Sequence, residues 1–319
     1  MAEREDSPAL AASERRRLLI IVNPYATTVS DRLRHLVVYA LQGRYEVTAV
    51  DTQAREHATE LSRDAARDGF DVVVAFGGDG TVNEAANGLA GSTTALTCLP
   101  GGSANVFGKI LGIPGDLVDA TEHLLAVADR WAPRAVDLGV VNGRLFTFSS
   151  GLGLDAIVTE RVDRNPRLKA RYGPYFFTWA AVTGFLSHYV VRPPRLIVEA
   201  DGARYDGVTA IIQNAAPFTY FKDRPIHVAD HADLASGRLA ASVLRRASPL
   251  DMPTVTWRAF SRRARLSGHR KVVALPETTE LVVRSADERP LPLQVDGDYL
   301  GEVTEARYSV APGRLLVVA

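Results

Sequence analysis

Apolar runs alternate with helical periodicity from residue 18 to about residue 130. The runs 18–22 (LLIIV) and 71–76 (DVVVAF) are almost continuously apolar, which is typical of strands buried on both faces. Between them, residues 31–42 carry apolar side chains at helical spacing, and Gly43 follows as a stop signal. Strands of this kind between amphipathic helices predict an α/β domain over residues 18–134, built on an N-terminal doubly wound parallel sheet.

The pattern changes after about residue 134. Short apolar runs separated by turn residues then predict a second, mostly antiparallel β-rich domain over residues 135–319, whose extreme C-terminus packs back on the first domain. Two helical inserts, near 174–189 and 250–264, interrupt these strands. The first 17 residues carry charges of both signs without an apolar core, and they predict a disordered tail.

Composition narrows the class of protein. The formal net charge is zero, which argues against a nucleic-acid partner. Cys98 is the only cysteine, so no intramolecular disulfide is possible and a reducing, cytoplasmic compartment is expected. The most apolar segment, 174–191, is interrupted by polar residues and falls short of a membrane span.

A glycine-rich turn, GGDGT at 77–81, directly follows the strand at 71–76. Ligands of open parallel sheets bind beyond the carboxyl ends of the strands, and bare amides before a helix form an anion site. Gly77, Gly78 and Gly80 would let a phosphate approach the main chain. Asp79 would act through a divalent cation. The alternative is a tight strand-to-helix turn with a solvated Asp.

A second loop of the same kind, LPGGSANVFG at 99–108, follows the next strand. Its spacing does not match a P-loop, but Gly102, Ser103 and Asn105 can contact a nucleotide. Alternatively, Ser103 is an ordinary helix N-cap, since a helix is predicted to begin there. After the first loop, Thr81 and Glu84 have capping-box spacing and predict another helix start.

These segments together resemble the diacylglycerol kinase catalytic-domain family, which includes bacterial soluble lipid kinases and the sphingosine and ceramide kinases. The resemblance covers nearly the whole chain after the tail. The matching segments are VNPYA (22–26), Thr52, GGDGTVNE (77–84), LPGGSANVFGKILGIP (99–114), GLGLDA (151–156) and VDGDYLG (295–301).

The resemblance implies ATP-dependent phosphorylation of a lipid hydroxyl, such as that of diacylglycerol. Nucleotide and Mg²⁺ would bind in the cleft between the two domains, with Asp79 as the metal ligand. Asp298 would act as the base, and Asp296 would orient it or the metal. Taken alone, VDGD (295–298) favours a β-hairpin turn, and only its position in the family pattern favours the catalytic role. The expected nucleotide contacts are Asn23, Thr52, Gly77, Gly78, Asp79, Gly80, Thr81, Asn83, Gly102, Ser103 and Asn105.

The sequence differs from the family pattern at three positions. Asp298 stands where bacterial members usually have Glu. In the family pattern, an Asp at the position of Ser236 holds a structural Mg²⁺. We therefore do not include this metal site, near Asp233, among the predicted sites. Val106 replaces an Asp of the second loop.

Two other functions remain open on sequence alone. An NAD kinase-like enzyme also carries GGDGT, and a catalytically decayed protein would bind nucleotide or lipid without turnover. The basic, aromatic segment 161–179 and the basic stretch 257–271 predict peripheral contact with a membrane, on its inner face. The alternative is a solvated basic loop that leads into a buried helix. An exposed β edge could pair two chains as a homodimer.

Overall fold

The computed structural model describes residues 15–26, 28–153, 156, 194–221, 224–261 and 263–319. Most of the predicted tail, the predicted helix at 174–189 and the basic segment 161–179 lie outside these residues.

The first half of the chain forms a parallel sheet with helices between its strands. The strand order is β2-β1-β3-β4, and every pair is parallel. Helix α2 packs on α3, and α1 packs on α5. The predicted α/β fold is therefore confirmed. The elements are β1 (Arg17–Val22), α1 (Asp31–Leu41), β2 (Glu46–Asp51), α2 (His57–Arg67), β3 (Val72–Gly77), α3 (Asp79–Leu89), β4 (Ala95–Pro100), α4 (Val106–Leu111) and α5 (Leu117–Asp129).

Local chemistry fixes the starts of two of these helices. Ser30 caps α1 by accepting the amide proton of Leu33 at 3.4 Å. Asp116 caps α5 through the amides of Val118 and Asp119. Side-chain caps of this kind satisfy amides that have no partner within the helix. Among the described residues, no helix is long and apolar enough to cross a membrane.

The second half is rich in short strands. One sheet has the order β14-β13-β10-β7-β16-β17, and each of its pairs is antiparallel, as predicted. The elements are β5 (Arg134–Val141), β6 (Arg144–Phe146), β7 (Ser149–Leu152), β8 (Leu196–Ala200), β9 (Ala203–Gly207), β10 (Thr209–Gln213), β11 (Thr219–Phe221), β12 (Arg224–Ile226), β13 (Ala240–Leu244), α6 (Met252–Phe260), β14 (Val272–Ala274), β15 (Glu280–Ser285), β16 (Leu291–Val295), β17 (Asp298–Val303) and β18 (Glu305–Val317).

The long strand β18 joins the two halves. It pairs antiparallel with β5 and β15, and its end lies parallel to β4, with Val317 opposite Leu96. The first sheet therefore continues through β18 to β15, β8 and β9. A domain boundary at residue 134 stays a prediction, since the sheet itself crosses that point.

Candidate active site

The two glycine loops touch each other through their backbones. The amide of Gly101 donates to the carbonyl of Gly77 at 2.9 Å. A Cβ atom at Gly101 would lie 2.8 Å from the Cα of Gly77, and one at Gly102 would lie 2.7 Å from the Cα of Gly78. Side chains do not fit at such separations, so loop-to-loop packing itself requires these glycines. The sequence had suggested a phosphate or a tight turn as the reason for glycines here, and not the packing of one loop on the other.

Helix α3 begins earlier than the capping-box spacing predicts. Its first residue is Asp79 and its N-cap is Gly78, which provides no side-chain cap. Thr81 lies inside the first turn, and Glu84 accepts the amide proton of Ala58 on α2 at 3.1 Å. The capping-box prediction is therefore wrong, because strand β3 leads into the helix without an intervening loop.

Asp79 bridges the two loops. Its Oδ1 accepts the amide proton of Phe107, in the first turn of α4, at 3.1 Å. Burial raises the pKa of Asp79 to about 6, and the amides of Val106 and Phe107 oppose that rise. Asp296 raises the pKa further and Lys109 lowers it. The carboxylate expected to bind a cation is thus also the cap of a helix on the second loop.

The second loop is closed by its own side chain. The amide of Gly102 donates to Oδ1 of Asn105 at 2.9 Å, and Nδ2 of Asn105 donates to the carbonyl of Gly102 at 2.8 Å. Asn105 has a left-handed φ of 48°, and α4 starts after it, at Val106. A helix start at Ser103 is therefore wrong. Ser103 is exposed, and nucleotide contacts by these residues stay predictions.

The other predicted contacts gather at the carboxyl ends of the strands. Nδ2 of Asn23 donates to the hydroxyl of Thr81 at 3.2 Å, which ties the end of β1 to the first loop. The amide of Thr52 donates to the carbonyl of Val22 at 2.8 Å and holds Thr52 beside the same edge. The edge that the sequence predicts as the ligand site is thus assembled from β1, β2, β3 and β4.

The VDGD segment forms a tight hairpin between β16 and β17. Asp296 and Gly297 have φ angles of 48° and 84°, and Val295 pairs with Asp298 across the turn. Positive φ at both central residues is typical of a type I′ turn. The amide of Gly297 also donates to Oε1 of Gln294 at 2.9 Å. The hairpin interpretation of this segment is therefore correct. The same hairpin also positions the carboxylates of Asp296 and Asp298.

Asp296 is buried among hydrogen-bond donors. Its Oδ1 accepts the amides of Phe148 and Ser149, each at 3.0 Å, and its Oδ2 accepts the amide and hydroxyl of Thr147 at 2.7 and 2.8 Å. Nδ2 of Asn83 donates to the same Oδ2 at 2.8 Å. Burial raises the pKa of Asp296, and the three amides and Asn83 lower it. These donors satisfy a carboxylate and leave it unsuited to contact a substrate.

Asp298 lies against the first glycine loop. A Cβ atom at Gly80 would collide with Oδ2 of Asp298 and come within 3.1 Å of its Cγ. The acid predicted to be the base is thus brought next to GGDGT from a strand more than two hundred residues along the chain. Its contact with Gly80 joins the second half of the protein to the carboxyl edge of the parallel sheet, where the nucleotide is predicted to bind.

A polar network that was not predicted ties α3 to the hairpin. Nδ2 of Asn83 also donates to the carbonyl of Leu145 at 3.0 Å, and Nη2 of Arg144 donates to Oδ1 of Asn83 at 2.9 Å. Arg144 also pairs with Glu56 at 2.5 Å. Asn83 is only 2% exposed, and its side-chain amide connects the two halves of the protein. Its predicted contact with a nucleotide stays a prediction. No local signal marks Arg144 in the sequence.

A pocket opens between the loops. Its cavity volume is about 10 Å³, which is room for about one water molecule, and the rest of the space is open to solvent. Its walls come from both glycine loops, the floor of β4 and the start of α4. The lining residues are Gly77, Gly78, Asp79, Val82, Cys98, Leu99, Pro100, Asn105, Gly108, Lys109, Ile113, Pro114 and Gly115.

The turn at Asp233 is closed by hydrogen bonds within the protein. The hydroxyl of Ser236 donates to the carbonyls of Asp233 and Arg238, each at 3.1 Å, and Oδ1 of Asp233 accepts the amide of Ala235 at 2.9 Å. Asp137 accepts the amide of Gly237 at 2.6 Å. No group of three metal-ligating side chains occurs among the described residues. These oxygens thus accept hydrogen bonds from the protein, and whether a structural Mg²⁺ binds near Asp233 and Ser236 is not tested.

Comparison with known proteins gives one family. Residues 17–140 match the model of the diacylglycerol kinase catalytic domain. The chain is 31% identical over 199 residues to a diacylglycerol kinase of Bacillus subtilis and 30% identical over 200 residues to one of Staphylococcus aureus. Each match covers 60% of this chain, and the chain spans about three fifths of each relative, 62% and 60% respectively.

The fold is shared over a longer stretch than the sequence match. A crystal structure of a diacylglycerol kinase from Bacillus anthracis aligns with 96% of this chain and 97% of its own, with a TM-score of 0.70 at 18% identity. This likeness includes both halves of the protein. The resemblance to the diacylglycerol kinase catalytic-domain family that the motifs indicated is thereby confirmed, through the family match of residues 17–140 and the relatives of the same name.

Proposed function

We propose that the protein is an ATP-dependent lipid kinase that transfers a phosphoryl group to a hydroxyl of a lipid such as diacylglycerol. The observation that carries the proposal is the contact of Asp298 with Gly80, which places a carboxylate from the second half beside the glycine loops. The sequence match to diacylglycerol kinases supports the same activity.

Asp298 is the proposed catalytic base. It starts strand β17 and is half-buried, so a hydroxyl can approach it while β16 and the hairpin hold its position. The carboxylate accepts the proton of the lipid hydroxyl as that oxygen bonds to the γ-phosphorus of ATP and the bond from this phosphorus to the oxygen of the leaving ADP breaks. Such a base contributes roughly 10²- to 10⁴-fold to a rate. Asp296 acts as a positioning residue, because its oxygens are already engaged by donors.

The residues at the sheet edge fit a nucleotide with Mg²⁺. The loops present bare backbone around a pocket, and Asp79 and Asp298 both lie at the first loop. Asp79 would hold the cation, and the pocket around Gly78 and Lys109 would hold the phosphates. Mg²⁺, when bound, would offset negative charge on the phosphate oxygens. We propose that the protein works in the cytoplasm, at the surface of the membrane that supplies its lipid.

A kinase screen tests this proposal. The purified protein is incubated with γ-labelled ATP, Mg²⁺ and, in separate reactions, diacylglycerol, a sphingoid base, ceramide and NAD. We expect a labelled lipid that is absent with Asp79→Ala, whose folding is checked by circular dichroism. Labelled NAD alone would favour the NAD kinase-like alternative. ATP binding without any labelled product would indicate a decayed site, and product formation that survives Asp79→Ala would contradict the assigned role of Asp79.

A further inference from the structure

Helix α6 exposes large apolar side chains to solvent. Trp257 is 62% exposed and Phe260 is 39% exposed, and because they are three residues apart they lie on the same side of the helix. Leu250, in the turn before the helix, is 90% exposed. Apolar side chains gathered on one helix and its flanking turn mark an interaction surface more often than isolated ones do.

The opposite side of α6 is already packed. Val255 is buried in a cluster with Val228, Leu266 and Val272, and Met252 packs against it. The amide of His227 also donates to the carbonyl of Ala259, at the end of the helix. The buried side of the helix is therefore packed against the rest of the protein, and the exposure of Trp257 does not result from poor packing.

The charge around this helix is strongly positive. Residues 245–271 contain eight Arg or Lys and one acidic residue, while the whole chain has a net charge of zero. The single acid, Asp251, is paired with Arg270 at 3.0 Å, and hydrogen bonds from Ser248 and Arg270 lower its pKa. The exposed arginines with described surroundings are Arg245, Arg246, Arg263, Arg265 and Arg270.

Two hydrogen bonds keep the basic loop close to the end of the helix. The hydroxyl of Ser261 accepts the amides of Arg263 and Ala264 in a tight turn that follows Phe260 directly. Nη1 of Arg258, on the helix, donates to the carbonyl of Arg265 at 2.9 Å. The turn that carries Arg263 and Arg265 is thus held close to the apolar end of the helix. Helices that bind bilayers combine basic and apolar side chains in this way.

A short hairpin connects this surface with the candidate active site. The ring of Phe260 packs edge-on against Phe221 at 5.7 Å, and Phe221 is next to Tyr220 in strand β11. The ammonium group of Lys109, which lines the pocket, lies 4.6 Å from the centre of the Tyr220 ring. A lipid that entered at α6 would therefore be one hairpin away from the pocket.

We infer that the α6 surface, formed by Leu250, Trp257 and Phe260 with Arg245, Arg246, Arg263 and Arg265, docks the protein on an anionic lipid bilayer. This inference rests on the proposed lipid kinase activity for its choice of partner. Apolar side chains enter the boundary between headgroups and acyl chains, and arginines near the surface attract anionic headgroups. A dimer through the same surface would bring two strongly basic segments together, which disfavours a second copy as the occupant.

Vesicle sedimentation tests the inference without using catalysis. The full-length protein is mixed with vesicles of phosphatidylcholine alone or with an equal share of phosphatidylglycerol. We expect binding to the anionic vesicles only, weakening as salt is raised. Leu250→Ser with Trp257→Ala, or Arg245→Gln with Arg246→Gln, should each weaken binding roughly tenfold or more. The matched control, Arg32→Gln with Tyr39→Ala, removes an exposed arginine and an exposed ring of α1 and should change nothing.

Fluorescence gives a second measurement. Replacing Trp131 and Trp179 by Phe leaves Trp257 as the single indole, and we expect brominated lipids in anionic vesicles to quench it. Equal binding to both vesicle types, an unquenched Trp257, or equal binding by control and surface variants would overturn the inference. So would surface variants that dissociate a dimer in analytical ultracentrifugation, since the surface would then belong to a second copy.

An activity assay separates this inference from the proposed function. If the function is correct, the surface variants should phosphorylate a water-dispersed short-chain diacylglycerol at the parent rate and vesicle-embedded diacylglycerol roughly tenfold more slowly. Equal loss on both substrates would contradict a docking role. If neither the parent nor any variant phosphorylates a lipid, the proposed function fails. Sedimentation then still decides whether the α6 surface binds bilayers.

Discussion

Asp296 and Asp298 sit two residues apart on one turn, in opposite surroundings. Asp296 is 2% exposed and accepts hydrogen bonds from three amides, a hydroxyl and the amide group of Asn83. Asp298 is half-buried and faces Gly80 of the first glycine loop. One carboxylate is part of the scaffold, and the other lies against the loop at which we propose that the nucleotide binds.

The difference explains how one short segment serves two purposes. A type I′ turn needs residues that tolerate positive φ, and Asp-Gly supplies them at 296–297. The same turn directs Asp296 toward the link between β6 and β7, residues 147–149, and starts β17 with Asp298. One short segment can therefore hold a carboxylate in the scaffold and place a second one beside the glycine loop, because Asp296 and Asp298 face different parts of the protein.

The largest effect should come from Asp298→Asn. If Asp298 is the base, lipid phosphorylation should fall roughly 10²- to 10⁴-fold while the free energy of unfolding stays nearly unchanged. Steady-state assays and urea unfolding measure the two quantities. Asp298→Glu keeps a carboxylate and should retain far more activity. If Asp298→Asn is as active as the parent, another group takes the proton and the contrast with Asp296 has no catalytic meaning.

Asp296→Ala should show the opposite pattern. It leaves the amides of Thr147, Phe148 and Ser149 buried without an acceptor, so the free energy of unfolding should fall by roughly 2–5 kcal/mol. Urea unfolding measures the loss. Asp206→Ala, at an exposed salt bridge, is the control and should cost at most about 1 kcal/mol. Equal stability of both variants would show that Asp296 is not part of the scaffold.

Gly80→Ala sharpens the placement of Asp298. The new Cβ would collide with Oδ2 of Asp298, so the carboxylate should move and activity should fall about tenfold. Stability should not fall with it, because Ala favours the helix that Gly80 lies in. Combining Gly80→Ala with Asp298→Asn gives the control, since both changes act on one group and their effects should not add. Additive losses would mean that Gly80 acts elsewhere.

The smallest expected effect is a pH dependence at Asp79. Burial raises the pKa of Asp79 from 3.8 to about 6 in the folded protein, so its ionisation destabilises the fold progressively as the pH rises from about 4 to about 6. In metal-free buffer, Asp79→Asn should therefore raise the free energy of unfolding by at most about 3 kcal/mol at pH 8, the full value of the shift, and leave it unchanged below pH 4. A loss of stability at pH 8 would show that capping by the charged form outweighs burial.

The fold class followed from hydrophobic pattern, but helix starts did not. Continuous apolar strands and helical spacing between them were enough to predict the parallel sheet. The starts of α3 and α4 depend on contacts between loops: Gly78 packs on Gly102, and Asp79 caps the amide of Phe107. Capping signals in a sequence describe only near neighbours, so a cap supplied by another loop is invisible to them.

The candidate site was predicted in part. The motifs identified the two loops and both acids, and the structure brings them to one edge. What the sequence did not indicate is which side chains are already engaged by the protein: Asn105 closes its own loop, and Asn83 links Asp296 to Arg144. These partners are distant in the chain and follow only from the assembled fold.

The position of β18 has a consequence for how the molecule comes together. The edge of β4 is covered by residues that the ribosome supplies more than two hundred positions later, at Val317 opposite Leu96. Until they arrive, that edge presents unpaired amides and carbonyls, which is a template for mispairing. Fragments that stop short of residue 305 should accordingly aggregate, even when they contain the entire stretch 17–140.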